Sequence, residues 1–191
     1  MVHIDRNSGS PSSSHSNGIF SIDGCILVTN FIHRDKRGIF RKVLPLADNS
    51  MNIDFSVYQV NLSSNSKAGT IRGFHYQSEP LIESKLISCT RGSVFDVLLD
   101  MRPDSVTFGK HVSFQLTPTS GSLLIPPLVA HAFQTLENET EILYLHSNHY
   151  NATHSKGINP LDTSLGVDWP LPASVISDSD RQLPNFSEVS L

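Results

Sequence analysis

The stretch Thr70-Ile-Arg-Gly-Phe-His-Tyr76, followed by Lys85-Leu-Ile-Ser-Cys89 and Val94-Phe-Asp-Val-Leu-Leu99, decides the fold class. Each segment is short, rich in Val, Ile, Leu and Phe, and followed by Gly, Ser or Pro. That is the pattern of β-strands separated by turns. Working outward, similar runs stand at Cys25–Val28, Phe55–Leu62, Val112–Leu116, Ser122–Ile125 and Thr140–Leu145. Turn-forming clusters lie between them at Ser63–Ser66, Pro103–Ser105, Pro118–Gly121 and Glu137–Glu139. No window of eleven or more residues between 20 and 150 sustains a 3.6-residue period, so a βαβ design has no crossover helices to use. The spacing predicts an all-β, antiparallel core.

The two ends of the chain read differently. Asn7–Ser16 is polar and low in complexity, with nothing to bury against the entropy of ordering it, so residues 1–18 are expected to form a loose Ser-rich tail. From Asn159 onward, Pro160, Pro170, Pro172 and Pro184 break any long element, and an irregular segment wrapping the core is expected there. Residues 19–191 are read as a single domain, since 191 residues suffice for one core without staples.

Composition removes several classes of function. Charged residues are 17% of the chain, against roughly 25% in an average soluble protein, and 28 serines supply polarity in their place. With a net charge of −4 the chain has no basic field for a polyanion, so nucleic acid is not an expected partner. Cys25 and Cys89 form no C-x-x-C pair, which suggests neither a zinc site nor a disulfide framework and fits a reducing compartment. No apolar run reaches the roughly 20 residues of a membrane span, and the N-terminus lacks the basic and apolar regions of a signal peptide. The expectation is a cytoplasmic protein without a membrane partner.

Two histidines stand in marked settings, His75 in Ile71–Gln77 and His131 in Ile125–Phe133. On a regular strand, Arg72, Phe74 and Tyr76 share one face while Gly73, His75 and Gln77 share the other. Lys85 and Asp96 are single charges on apolar strands, and burying such charges is costly unless they are paired or used. From the residues alone, two readings of each stand side by side. The histidines are hydrogen-bonded core groups or site groups, and Lys85 and Asp96 form a structural ion pair with each other or serve chemistry.

The segments Asp35–Gly38, Gln59–Asn61, Ile71–Gln77, Lys85-Leu, Gly92–Val97, Asp100–Arg102, Ser105–Gly109, Ile125-Pro126, Ala130–Phe133, Glu141–Tyr144, Asp168–Pro170 and Ile176–Asp180 occur in the order and near the spacing of one family. The chain from about residue 23 to 184 resembles the dTDP-4-dehydrorhamnose 3,5-epimerases and their nucleotide-sugar relatives. The resemblance implies a cupin, a double-sheet jelly roll, working as a homodimer on nucleotide-diphosphate-linked 4-keto-6-deoxy sugars without a cofactor or metal. A C4 ketone acidifies the C–H bonds at C3 and C5, so epimerisation needs a base, a cation at the enolate oxygen, and an acid on the opposite face.

By this resemblance His75 is the base, Asp180 holds its imidazole, Lys85 meets the sugar O4, and Tyr144 returns a proton from the other side. Arg37, Gln59, Asn61, Arg72, His131 and Tyr150 fall on substrate-binding positions, Arg37 on a segment that in the family reaches the partner's site, and Tyr150 as an aromatic that stacks on the base. Asp96 and Gln77 are assigned supporting roles behind these groups. The sequence departs from the family at Lys42 and Ser155, where glutamates are usual, at Ser179, where a lysine is usual, at Pro127-Leu128, and at Pro160.

Two alternatives belong to other classes. Many cupins hold a metal and oxidise or isomerise substrates, but the position two after His75 is Gln77, which leaves only His75 and His131 as ligands, a poor set for iron. A nucleotide-sugar-binding relative without turnover is the other, and the joint presence of His75, Lys85, Tyr144 and Asp180 argues against it.

Overall fold

The apolar runs fold as strands in the computed structural model, which describes residues 21–28, 32–43 and 55–189. In chain order these are β1 (Ile26–Val28), β2 (Ile32–Asp35), β3 (Gly38–Arg41), β4 (Gln59–Asn65), β5 (Ile71–Gln77) and β6 (Lys85–Arg91). Then follow β7 (Val94–Asp100), β8 (His111–Leu116), β9 (Ser122–Ile125), β10 (Val129–Thr135), β11 (Thr140–His146) and β12 (Ser155–Gly157). One five-stranded sheet runs β1-β9-β6-β11-β4 and the other β12-β5-β10-β7-β8, while β2 and β3 pair as a hairpin. All strand pairs are antiparallel, and the architecture is the expected jelly roll. The tail expected over residues 1–18 lies outside the described residues.

The core is the layer between the two sheets. Ile87, Cys89, Leu123, Ile125 and Ile142 from the first sheet meet Val94, Leu98, Leu116, Val129 and Phe133 from the second, all buried. Each such side chain contributes roughly 1.5–3 kcal/mol by leaving water. Both cysteines are free and buried, and burial pushes their thiols up, to about 12 for Cys25 and about 11 for Cys89.

The second sheet is covered on its outer face as well. Phe74, Tyr76, Val97, Leu99, Ala130 and Ala132 pack against Ile158, Leu165, Val167, Trp169 and Phe186 of the C-terminal segment. Trp169 anchors that segment, with its Nε1 donating to the Pro160 carbonyl at 2.9 Å and its ring edge-on to Phe95. The segment is irregular as expected, apart from 3-10 turns at Thr163–Leu165 and Phe186–Glu188 and one turn of helix, α1 (Asp178–Arg181).

Several boundaries differ from the sequence reading. Strand β10 was not expected, because all seven of its residues are buried and a strand covered on both faces shows no alternation. Ser63–Asn65, read as part of a turn, belongs to β4. Asn65 satisfies its amide there by accepting from Arg72 Nε at 2.7 Å and donating to the Thr140 carbonyl at 3.2 Å. The strand expected from Phe55 begins only at Gln59, and β2, β3 and β12 are further strands too short or too exposed to be read from pattern.

Candidate active site

A cleft of about 610 Å³ opens between the sheets, walled by β4, β6 and β11 on one side and by β5, β10, β12 and α1 on the other. It brings together His75, Lys85, Tyr144, Asp180, Asn61, Arg72, Gln77, His131 and Tyr150, whose sequence positions span 61 to 180. His75 and His131 lie directly opposite each other in the β5–β10 register.

A register shift shapes this wall. Between the pairs His131↔His75 and Phe133↔Arg72, β5 carries one more residue than β10. The extra residue puts Arg72 and His75 on the same side, where strict alternation places them on opposite faces; both line the cleft. Gly73 permits the bulge. It has φ +102°, and a Cβ there would stand 2.3 Å from the His131 carbonyl oxygen.

His75 Nε2 lies 2.8 Å from Asp180 Oδ1. Since a carboxylate only accepts, this contact holds the ring proton on Nε2 and leaves Nδ1 as the basic nitrogen. Asp180 is delivered by α1, whose N-cap Ser177 Oγ accepts from the Asp180 N–H at 3.1 Å, and its Oδ2 also accepts from the Gly73 N–H at 3.3 Å. Burial pushes the Asp180 carboxyl up, but the donors from His75, Gly73 and Ser177 outweigh it and hold the group below the usual carboxylate range.

The second pair is His131 Nε2 with Asp96 Oδ2 at 3.0 Å, fully enclosed. Asp96 Oδ1 is buried with no hydrogen-bond partner among the described residues, and burial pushes this carboxyl above its usual range against the pull of His131. The ion pair between Lys85 and Asp96 is therefore not formed. Asp96 sits behind His131, and Lys85 finds Glu83.

Lys85 reaches across from β6. Its Nζ donates to the His75 carbonyl on β5 at 3.0 Å and pairs with Glu83 Oε1 at 3.4 Å. Burial lowers the Lys85 ammonium, and Glu83 opposes that shift without cancelling it. Tyr144 on β11 stacks on His146 (centroids 5.9 Å, planes 16° apart) and meets the His131 ring edge-on at 5.9 Å. Burial and the charge of Asp96 push its phenol well above the usual range, with Arg72 opposing, so it is held as a protonated donor.

The expected binding residues divide. Arg72 and Asn61 line the cleft, as does Tyr150, which is 63% exposed and free to present its ring. Gln59 is not on the wall; its Oε1 accepts the Tyr150 N–H at 3.2 Å. Gln77 uses its amide on the Leu81 and His149 carbonyls and the Asn151 N–H, bracing loops rather than His75. Arg37 lies apart from the cleft, at the exposed tip of the β2–β3 hairpin, with its guanidinium on Asp35 at 2.6 Å. Ser155 and Ser179 line the cleft, whereas exposed Lys42 does not.

Glu83, His146 and Lys156 also wall the cleft, and sequence reasoning missed them. A usable signal existed for two: Glu83 precedes Lys85 by two residues and His146 follows Tyr144 by two, the spacing that shares a strand face. Among the described residues no three His, Cys, Asp or Glu side chains group to hold a metal, since His75 and His131 are each tied to their own carboxylate. No helix among them is long and apolar enough to cross a membrane.

Residues 20–188 match the sequence model of a family described as dTDP-4-dehydrorhamnose 3,5-epimerase. A relative of that name from Sinorhizobium fredii is 38% identical over 158 residues, 81% of either chain. Among solved structures, dTDP-6-deoxy-D-glucose-3,5-epimerase from Legionella pneumophila, in complex with dTDP-4-keto-L-rhamnose, is 31% identical with a TM-score of 0.83, covering 90% of this chain and 92% of that one. A 3'-monoepimerase from Streptomyces bikiniensis in complex with dTDP-quinovose is 30% identical with a TM-score of 0.81, covering 88% and 86%.

Proposed function

This chain belongs to the dTDP-4-dehydrorhamnose 3,5-epimerase family, and from that premise we propose how its cleft epimerises a dTDP-linked 4-keto-6-deoxy sugar at C3, C5 or both. The supporting observation is that a base and an acid stand on opposing sheets, His75 on β5 and Tyr144 on β11, with the Lys85 ammonium between them bonded to the His75 main chain. His75 Nδ1 removes the proton α to the ketone. The electron pair moves onto O4, where Lys85 meets the developing enolate charge. Tyr144 then protonates the carbon from the other face, and the imidazolium and phenolate return to their resting forms by proton exchange with solvent. Asp180 keeps the proton on Nε2 and stabilises the imidazolium.

Arg72, exposed at the cleft with its Nε on Asn65, suits the diphosphate, and Tyr150 the nucleotide base. The protein acts as a homodimer in the cytoplasm on this reading. Exposed Ile39 and Phe40 on the β2–β3 hairpin, and Val60 and Leu62 on β4, supply the apolar surface that a second copy would cover, and the hairpin would carry Arg37 to the partner's cleft. Phe40→Asp is expected to yield a monomer by light scattering.

The decisive test incubates the protein with dTDP-4-keto-6-deoxyglucose in D₂O. Deuterium at C3 and C5, read by NMR, identifies the carbons that react. Absence of incorporation with this sugar and with its GDP, CDP and UDP counterparts would overturn the proposal.

A further inference from the structure

A directional chain of hydrogen bonds ends on Lys85. The Tyr150 N–H donates to Gln59 Oε1, and Gln59 Nε2 donates to Asn61 Oδ1 at 3.0 Å. That leaves Asn61 Nδ2 to donate to His146 Nε2 at 3.2 Å, so Nε2 accepts and the ring carries its proton on Nδ1. Nδ1 then donates to Glu83 Oε2 at 2.9 Å, and Glu83 Oε1 faces the Lys85 ammonium. Every amide and ring orientation is set by the link before it. The nine-tenths-buried Lys85 and Glu83 thus share their enclosure with a histidine that adds a donor rather than competing for the carboxylate's charge.

We propose that Glu83 is a positioning residue of the epimerisation: it holds Lys85 as an ammonium aimed at the enolate oxygen, and His146, oriented through Asn61 and Gln59, keeps Glu83 directed at that lysine. The proposal rests on the function given above. Its physical reason is the burial of Lys85. An ammonium taken out of water loses its proton more readily, and among the described residues Glu83 is the one carboxylate ion-paired with it. The other titratable groups lining the cleft around it are Tyr144 and His146 on β11, His75, Arg72 and Tyr76 on β5, His131 on β10, Tyr150 in the loop after β11, Lys156 on β12 and Asp180 on α1. Of these, Asp180 is engaged by His75, and His131 by Asp96. Glu83 itself is pushed up by burial, but the His146 N–H and the Lys85 charge outweigh that and hold it ionised.

The test compares the full chain with Glu83→Gln. In protein labelled with ¹³C at lysine Cε, the Lys85 resonance, identified by its loss in Lys85→Met, is titrated by NMR. We expect its midpoint to fall in Glu83→Gln, and the alkaline limb of kcat/KM for deuterium exchange to move to lower pH with it. At neutral pH kcat should fall about ten- to a hundredfold, approaching the loss of an oxyanion donor, with KM nearly unchanged. Glu83→Asp, which keeps the charge, should restore the Lys85 midpoint. His146→Leu removes the N–H to Glu83 together with the ring's contacts to Asn61 and Tyr144, so Glu83 is no longer held toward the lysine and the Lys85 midpoint should fall, by less than in Glu83→Gln; this variant also decides the matter where Glu83→Gln folds poorly. An unchanged Lys85 midpoint in Glu83→Gln, or in His146→Leu, would overturn the proposal. The lysine titration needs no sugar, so a protein with the expected midpoints and no deuterium exchange would overturn the assigned reaction and not the Glu83–Lys85 pairing.

Discussion

Two histidine–carboxylate pairs face each other across β5 and β10, made of the same groups at nearly the same distance, and they differ in access to water. The His75 side chain is 45% exposed with Asp180 at 9%, while His131 and Asp96 are at 5% and 0%. The exposed imidazole can meet a substrate and exchange its proton, whereas the enclosed one packs against Tyr144 and orients it. The carboxylates differ in the same sense. Asp180 accepts from three donors and is held low, and Asp96 has one oxygen without a partner and is pushed up. Residue type does not separate the two histidines; solvation does, and on the function proposed above it is what makes His75 the base.

The sharpest way to break this comparison is to remove each ring in turn. His75→Ala is expected to reduce deuterium exchange by about 10³-fold or more, and His131→Asn by about tenfold at most. The reverse order would make His131 the base. Next in size are the carboxylates. Asp180→Asn, which can no longer hold the proton on His75 Nε2, should cost about 10²- to 10³-fold in kcat, and Asp96→Asn, which keeps an acceptor for His131, about tenfold or less. Equal losses would remove the distinction. Tyr144→Phe should slow inversion about 10²-fold while leaving exchange at the abstracted position measurable, since the base acts without it; NMR of the product in D₂O reads both.

The smallest effect is on stability against pH, where the two carboxylates should act with opposite sign. Asp180 is lowered on folding, so its contribution is present above the unfolded value near 4 and is lost as pH falls through the lower folded value. Asp96 is raised, so its contribution is full below the unfolded value and is lost as pH rises through the higher folded one. Denaturant unfolding between about pH 2 and 7 should therefore show Asp180→Asn flattening the acid side of the profile and Asp96→Asn flattening the side above pH 4. Parallel profiles for the two variants would contradict the assignment of burial.

How far the sequence can be read follows from the same contrast. The strands with one covered face or clear turn neighbours, such as Ser122–Ile125 and Val94–Asp100, lie where the pattern puts them. Strand β10 does not announce itself, because the C-terminal segment packs on its outer face and erases the alternation. His75 and Lys85 stood out in the sequence by their local settings, and Tyr144 and Asp180 through the family resemblance; all four line the cleft. Glu83 and His146 carried only a two-residue spacing as a signal, because what joins them is tertiary: His146 pairs in register with Lys85, and Glu83 stands beside it from 63 residues away.

The sequence by itself determined the class of strands, the irregular C-terminal wrap and the residues able to do acid–base work, since strand period, turn chemistry and side-chain functional groups are local properties. Tertiary structure decided which groups act together. The bulge at Gly73 turned Arg72 and His75 to one side, α1 brought Asp180 to His75, and Lys85 was given to Glu83 instead of Asp96. Those outcomes depend on register and burial, which are set by contacts between segments far apart in the chain, and it is burial that sets the charge each group carries.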